Sequence, residues 1–298
     1  MTVRHRVSIG VPVYNGARFL AKTLDSLLGQ TYRDLELIIG DNASTDETEA
    51  IARAYAARDP RVRYVRHPVN CGAAWNLNRL AELAESEYFK WAMADDLCGP
   101  EFVERCVAIL DHDPAVVLVC MRTTFIDEND NFVRTMNPGW DLQFEDAHER
   151  LKRVIYAGGH WANADALAGV IRRSALMQTS LLPRYQGGDK RPLAELSLMG
   201  KFVELPEYLT WRRLHAASSG RNNPEFAPDR AQAIRWMAEF FKTSKAEVAC
   251  PTWHLFRDHA RVIWNGRLSL RQKLLSFVAV LRAMRWNWKR LVKELRPA

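Results

Sequence analysis

Two adjacent carboxylates, Asp95 and Asp96, close the apolar run Phe89-Lys-Trp-Ala-Met-Ala94. Side by side at the end of such a run they repel each other and lose hydration, so something cationic should compensate. Mg²⁺ or Mn²⁺ held together with substrate phosphates is the natural candidate, because hard ions take oxygen ligands. The plainer alternative is that Asp96 caps the next helix while Asp95 stays in water. Asp41 closes a second run, 35–40, and opens Asp41-Asn-Ala-Ser-Thr-Asp46. An acid in that place can accept the ring N–H of uracil, thymine or guanine. A turn with Ser44 as N-cap and Glu47 completing a capping box would account for Ser44 and Asp46 but leaves Asp41 unexplained. Pro12, Tyr14 and Asn15 follow a third run and suit one edge of a base-binding pocket. Asn70-Cys-Gly-Ala-Ala-Trp-Asn76 reads as a tight turn feeding a helix whose start could face a ribose or phosphate. Taken singly, each of these segments has an ordinary structural explanation.

The elements that would position these residues follow from two alternating hydrophobic periods. Strands are predicted over 7–11, 35–40, 62–65, 88–93 and 116–120, and helices over 17–28, from 44 onward, over 74–84 and over 102–110. Short apolar strands alternating with helices predict an α/β fold, a mostly parallel sheet flanked by helices. Ligands bind beyond the carboxyl ends of the strands in such sheets. Asn15, Asp41 and Asp95-Asp96 all fall there, so one cleft could hold them. The stretch 123–164 is broken by Asn137-Pro-Gly139 and Gly158-Gly159 and reads as loops and short elements. Strands follow over 166–171 and 201–205, the latter closed by Pro206, then helices over 229–241 and, as one long element, 269–295.

Composition bounds the function classes. The 298 residues are 48% hydrophobic and 26% charged, which is globular. The net charge of +7 is uneven: residues 252–298 hold eleven Arg and Lys against Asp258 and Glu294, giving +9, so residues 1–251 sum to −2. An anionic partner therefore concerns the tail alone. Five cysteines without ligand spacing point to a reduced cytoplasmic protein and away from structural zinc. The first apolar run is too short for a signal peptide, and no window of ~18 apolar residues could span a bilayer. G-x-G-x-x-G, G-x-x-x-x-G-K-[ST], G-x-S-x-G and H-E-x-x-H are all missing, which removes the main support for a dehydrogenase, a P-loop NTPase, an esterase or a zincin.

Taken in order, Val-Pro-Val-Tyr-Asn15, Gln30-Thr-Tyr32, Glu36-Leu-Ile-Ile-Gly-Asp-Asn-Ala-Ser-Thr-Asp46, Asn70-x-Gly72…Asn76 and Ala94-Asp-Asp96 resemble a family-2 inverting glycosyltransferase of GT-A fold. The resemblance is strong over about residues 6–100 and resumes at Gly187-Gly-Asp189, 200–206 and Trp211-Arg-Arg-Leu-His215. It implies a catalytic domain over 1–215, with nucleotide-sugar binding in about 1–122 and the acceptor side in about 123–215, then a helical, basic extension over 216–298. It implies that Pro12, Tyr14, Asn15 and Asp41 line the nucleobase pocket, that Asn70 and Asn76 lie near ribose and phosphates, and that Asp95 contacts the nucleotide. Asp96 would bind Mg²⁺ or Mn²⁺, with His215 as a second ligand or a surface histidine. Arg212 and Arg213 would be diphosphate contacts or a solvated pair, and Asp189 the general base or a loop acid paired with Lys190 or Arg191. Two positions depart from the family pattern: Gly188 replaces the usual Glu before the base, and Met93 stands where many members have a third acid.

The implied reaction moves a sugar from a UDP-, dTDP- or GDP-linked donor to a glycan or lipid-linked acceptor hydroxyl, with inversion, in glycan assembly. The competing reading is a catalytically silent nucleotide-sugar-binding scaffold on the same fold. In the tail, Leu274, Phe277, Val278, Leu281, Trp288, Leu291 and Leu295 form an apolar stripe beside Arg282, Arg285, Lys289, Lys293 and Arg296. Such a helix suits the cytoplasmic face of a membrane, or else docks on its own domain or a second subunit. Nothing supports nucleic-acid binding, and a homo-oligomer stays open.

Overall fold

The computed structural model describes residues 5–137, 139–157, 165–216 and 230–295. Strands β1 (Val7–Val13), β2 (Leu35–Asp41), β3 (Val62–Arg66) and β4 (Tyr88–Trp91) pair in parallel in the order β3-β2-β1-β4. Their residues are apolar on both faces because helices cover both faces. On one side Leu20, Leu24 and Leu27 of α1 (Ala17–Leu28) pack with Val7, Ile9 and Val11. On the other, Leu80 and Ala81 of α3 (Ala73–Leu83) meet Ile38 and Phe89. Gly10 permits that approach, since a Cβ there would stand 2.9 Å from the Leu80 Cβ. Helices α2 (Thr48–Arg58) and α4 (Phe102–His112) complete the crossovers.

Beyond β4 the sheet departs from the parallel pattern. Strands β5 (Leu97–Cys98), β6 (Val116–Ile126), β7 (Phe132–Met136), β8 (Val170–Arg172) and β9 (Lys201–Arg213) extend it to the order β3-β2-β1-β4-β8-β6-β9-β5, with β7 beside β6. The pairs β4/β8, β6/β8, β6/β7 and β5/β9 are antiparallel and β6/β9 is parallel, so the sheet is mixed. Several sequence expectations are corrected here. The 116–120 strand runs on to Ile126 and turns back as β7, inside the stretch expected to be irregular. That stretch also holds a ten-residue helix, α5 (Ala147–Tyr156), although Gly158-Gly159 lies outside the described residues. Pro206 does not end β9: the register against β6 shifts between Met121 and Thr123, and pairing resumes from Thr210 to Arg213. The 166–171 strand contracts to β8.

The C-terminal region is helical, and it belongs to the same core. After α6 (Arg173–Leu176) and α7 (Lys190–Met199) come α8 (Arg230–Phe241), α9 (Lys245–Ala249), α10 (Pro251–Asn265), α11 (Leu270–Trp286) and α12 (Trp288–Leu295). Phe256, Val262 and Ile263 of α10, Ala279, Val280 and Ala283 of α11, and Leu291 of α12 join one cluster with Leu151 and Val154 of α5 and Leu193 and Leu196 of α7. The single helix expected over 269–295 is two helices parted at Asn287, whose side chain turns back to the Ala283 carbonyl at 2.8 Å. No helix among the described residues is long and apolar enough to cross a membrane.

Candidate active site

Parallel registration sets the site. Val13 lies opposite Asp41 and Gly10 opposite Trp91, so the carboxyl ends of β1, β2 and β4 open on one edge of the sheet. The loops after β1 and β2 are stitched together there. The Ser44 Oγ accepts from the Asn15 N–H at 2.9 Å, the Asn15 Oδ1 accepts from the Thr45 N–H at 2.8 Å, and Asp46 accepts from the Ala17 N–H at 3.1 Å. Asn15 and Ala43 adopt positive φ of 50° and 62°, which asparagine tolerates and alanine disfavours. The capping box expected at Ser44 and Glu47 does not form, because Ser44 is committed to Asn15 and α2 starts later with Glu47 at its N-cap.

Asp41 is fully buried. Its Oδ1 accepts from the Ser44 N–H at 2.8 Å, and its Oδ2 accepts from the Tyr64 hydroxyl at 2.6 Å and from Arg66 at 2.8 Å. Burial alone would raise its pKa, but the hydrogen bonds from Ser44 and Tyr64 and the Arg66 charge outweigh it, and the carboxyl sits below its ordinary value. Tyr14, by contrast, is half exposed beside it, with Pro12 partly covered. Asn70 accepts from the Gly72 N–H and from Asn42, each at 2.9 Å. Asn76 is buried beneath the loop, donating to the Gly40 carbonyl at 2.7 Å and meeting His67 at 3.2 Å. It clamps α3 to the strand ends, so the structure puts it under the pocket where the sequence suggested a ribose or phosphate contact.

At the end of β4, Asp95 Oδ2 lies 2.9 Å from His215 Nε2, and Asp96 Oδ1 accepts from the Arg213 N–H at 2.9 Å. Enclosure in the cleft wall and the neighbouring Asp95 charge raise the Asp96 pKa well above the carboxylate range. A cation at this pair would relieve that cost. No group of three or more His, Cys, Asp and Glu among the described residues makes a ready metal cage. Mg²⁺, however, is commonly bound through one or two carboxylates with phosphates supplying further ligands, and the carboxylates of Asp95 and Asp96 are oxygen donors of that kind.

The two arginines part company. Arg212 reaches Asp165 at 3.0 Å in the cleft. Arg213 is fully buried, donates to the carbonyls of Asp95 (2.9 Å) and Asp127 (3.1 Å), pairs with Asp130 and lies over the Phe19 ring. It is neither a solvated arginine nor a side chain presented to a ligand. It braces the Asp95-Asp96 backbone.

Of these groups Asp96, Asp165 and Arg212 line a cavity of about 290 Å³, together with Asp189 and the α8 side chains Trp236 and Phe240, whereas Asp41, Asn70, Asn76, Asp95, Arg213 and His215 lie outside its lining. Asp189 stands at the start of α7. Lys190 donates to the Ala157 carbonyl at 2.5 Å while feeling the Asp189 charge, and Arg191 reaches Ser180 at 2.7 Å. Burial lifts Asp165 to about 6 against the opposing pull of Arg212.

Residues 8–178 match the profile described as Glycosyl transferase family 2. The chain belongs to this family. An uncharacterized glycosyltransferase of Rickettsia typhi is 35% identical over 133 residues, which is 44% of this chain and 41% of that protein. The chain therefore spans less than half of that relative in the matched region. Among solved structures, S. aureus TarS 1–349 in complex with UDP-GlcNAc superposes with a TM-score of 0.67 at 15% identity, covering 94% of this chain and 72% of that one. The mannosyltransferase PcManGT from Pyrobaculum calidifontis, in complex with GDP-Man and Mn²⁺, superposes at 0.56 and 20% identity, covering 97% and 76%. These likenesses show the GT-A fold.

Within the family frame, three features escaped the sequence. Asp165 lies between the irregular stretch 123–164 and the strand expected from 166, where no period marks it. Tyr64 and Arg66 could have been found, because β3 also ends at this edge and the reasoning that selected Asp41 applies equally to Arg66. The α8 wall carried no motif, only Trp236, Met237, Phe240 and Phe241 in an ordinary helical pattern.

Proposed function

We propose that the protein transfers a glycosyl group from a nucleoside-diphosphate sugar to an acceptor hydroxyl by single displacement with inversion. The observation that carries this reading is that Asp96 and Asp189, from separate elements, line the same cavity. The acceptor hydroxyl loses its proton to Asp189 as its oxygen bonds to the anomeric carbon, and the bond to the departing diphosphate breaks. Asp96, with Asp95 and His215, would hold Mg²⁺ or Mn²⁺ together with the diphosphate; that ion supplies charge stabilisation for the leaving group. Arg212 serves the same negative charge, and Asp165 beside it is placed to accept sugar hydroxyls. Tyr14, Pro12 and Asn15 cover the base. Asp41, held by the Ser44 N–H and hydroxyl, Tyr64 and Arg66, fixes the loop that borders the base. Asn70 holds its loop at the ribose end. UDP, dTDP and GDP donors all fit this scheme, with a glycan or lipid-linked hydroxyl as acceptor.

The test is the anomeric configuration of the product, read by NMR with the donor that binds. An α-linked donor giving a β-linked product, with transfer lost in Asp189→Asn, is expected. Retained configuration, or full turnover in Asp189→Asn, would overturn the proposal.

A further inference from the structure

The outer face of α11 is inverted with respect to the usual rule for a surface helix. Ser276, Ala279, Val280 and Ala283 face the core, joined by the hydrogen bond of Ser276 to His148 at 2.8 Å. Leu270, Leu274 and Leu281, spaced to fall on the opposite side, are 76%, 59% and 64% exposed, and Val278 beside them is exposed as well. The stripe therefore differs from the one the sequence suggested, since Phe277 is only partly exposed and Leu291 is buried. Trp264, at the end of α10, is 72% exposed and lies 5.9 Å from Lys273 Nζ. Apolar side chains aligned in this way toward water mark an interaction surface.

The charges around the stripe identify its partner. Arg271, Arg282 and Arg285 follow it along α11, and Arg267, Lys289 and Lys293 are exposed nearby in sequence. The two acids of residues 252–298 are both buried: Asp258 accepts from Tyr185 at 2.8 Å, and Glu294 accepts from the Thr252 N–H at 3.1 Å. The exposed face of α11 thus offers cations and hydrocarbon and no carboxylate. A second copy would bring arginine to arginine across the joint. A nucleic acid would satisfy the cations and leave the leucines in water. A bilayer with anionic headgroups satisfies both at once, leucines and tryptophan entering the acyl boundary and arginines meeting phosphates.

We propose that α11 is a monotopic docking surface for anionic phospholipid membranes, seated through Leu270, Leu274, Val278 and Leu281. The proposal stands apart from the reaction assigned above, because lipid binding requires neither donor nor acceptor.

The full chain is centrifuged with vesicles of phosphatidylcholine alone and with vesicles containing phosphatidylglycerol, at low and at high salt. Its mass is measured in parallel by analytical ultracentrifugation. Binding to anionic vesicles is expected at least tenfold more strongly than to neutral ones and should weaken with salt. Leu274→Ser with Leu281→Ser changes only exposed positions, so its melting temperature should match the wild type while vesicle binding falls at least tenfold. Arg271→Gln with Arg282→Gln should lose the preference for anionic lipid. The proposal is overturned by absence of binding to either vesicle, by binding that survives the leucine substitutions, or by a dimer in place of lipid binding that those substitutions dissolve.

Discussion

At the residue scale, the site depends on carboxylates in unlike surroundings. Asp41 is held ionised by Ser44, Tyr64 and Arg66, whereas Asp96 is raised by enclosure and by Asp95. Similar groups are thereby set apart, one held ionised within its loop and one raised at the cleft wall. Two outcomes follow for activity. Asp189→Asn keeps the shape of the cavity wall and removes the base, so kcat should fall by roughly 10²–10⁴-fold while the donor dissociation constant stays within about twofold; calorimetry beside a transfer assay separates the two quantities. Asp165→Asn leaves Arg212 without its 3.0 Å ion-pair partner. That substitution should raise the donor KM and change the ranking of donors that differ in the sugar, whereas free nucleoside diphosphate should bind as before. An unchanged sugar ranking would remove Asp165 from the donor site.

At the scale of elements, the strand ends position the chemistry and the helices hold the strand ends. Asn76 shows the distinction. It ties α3 to Gly40 and His67 from beneath, so Asn76→Ala should cost about 1–3 kcal/mol of stability for the lost buried hydrogen bonds. Donor affinity measured well below the melting temperature should change little. Gly72 is bound more tightly still: its φ is +89° and an added Cβ would stand 2.5 Å from the Phe241 carbonyl of α8. The parallel half of the fold was legible because each of its strands is a short apolar run closed by polar residues, and the cleft follows from where those runs end. The second half was obscure for identifiable reasons. β7 is an exposed strand, 132–136, whose apolar residues Phe132 and Val133 are adjacent and do not alternate with polar ones. β9 continues through Pro206 because a register shift accommodates it. The tail is apolar on both sides of α11, so periodicity located a stripe but could not tell the buried side from the exposed one. Asn76 was expected near ribose and phosphates, and Arg213 at a diphosphate or in a solvated pair, because motif position fixes where a residue lies and leaves open which way its side chain turns.

At the scale of the whole molecule, the C-terminal helices share the core of the sheet and wall its cavity. α8 closes the cavity with Trp236 and Phe240, and α10 adds His259, which is fully buried with Tyr185 and Asp258 in the same region. Burial, aided by the Lys190 charge, lowers His259 to about 3 from its ordinary 6.5. Below 6.5 the unfolded chain takes up a proton that the native state refuses. Stability is therefore intact above that pH and declines as pH falls from 6.5 toward 3, by roughly 1.4 kcal/mol per unit for this group. His259→Leu should lose less melting temperature than the wild type between pH 7.5 and 5.5, as followed by circular dichroism. On the proposed function, one cleft binds a nucleotide sugar through Asp96 and a divalent ion. The most direct measurement is a thermal-shift panel of UDP-, dTDP- and GDP-sugars with and without Mn²⁺, on the wild type and on Asp96→Ala. A rise in melting temperature with one nucleotide class, strengthened by Mn²⁺ and abolished in Asp96→Ala, is the result predicted. Stabilisation that is independent of the metal and preserved in Asp96→Ala would contradict the account.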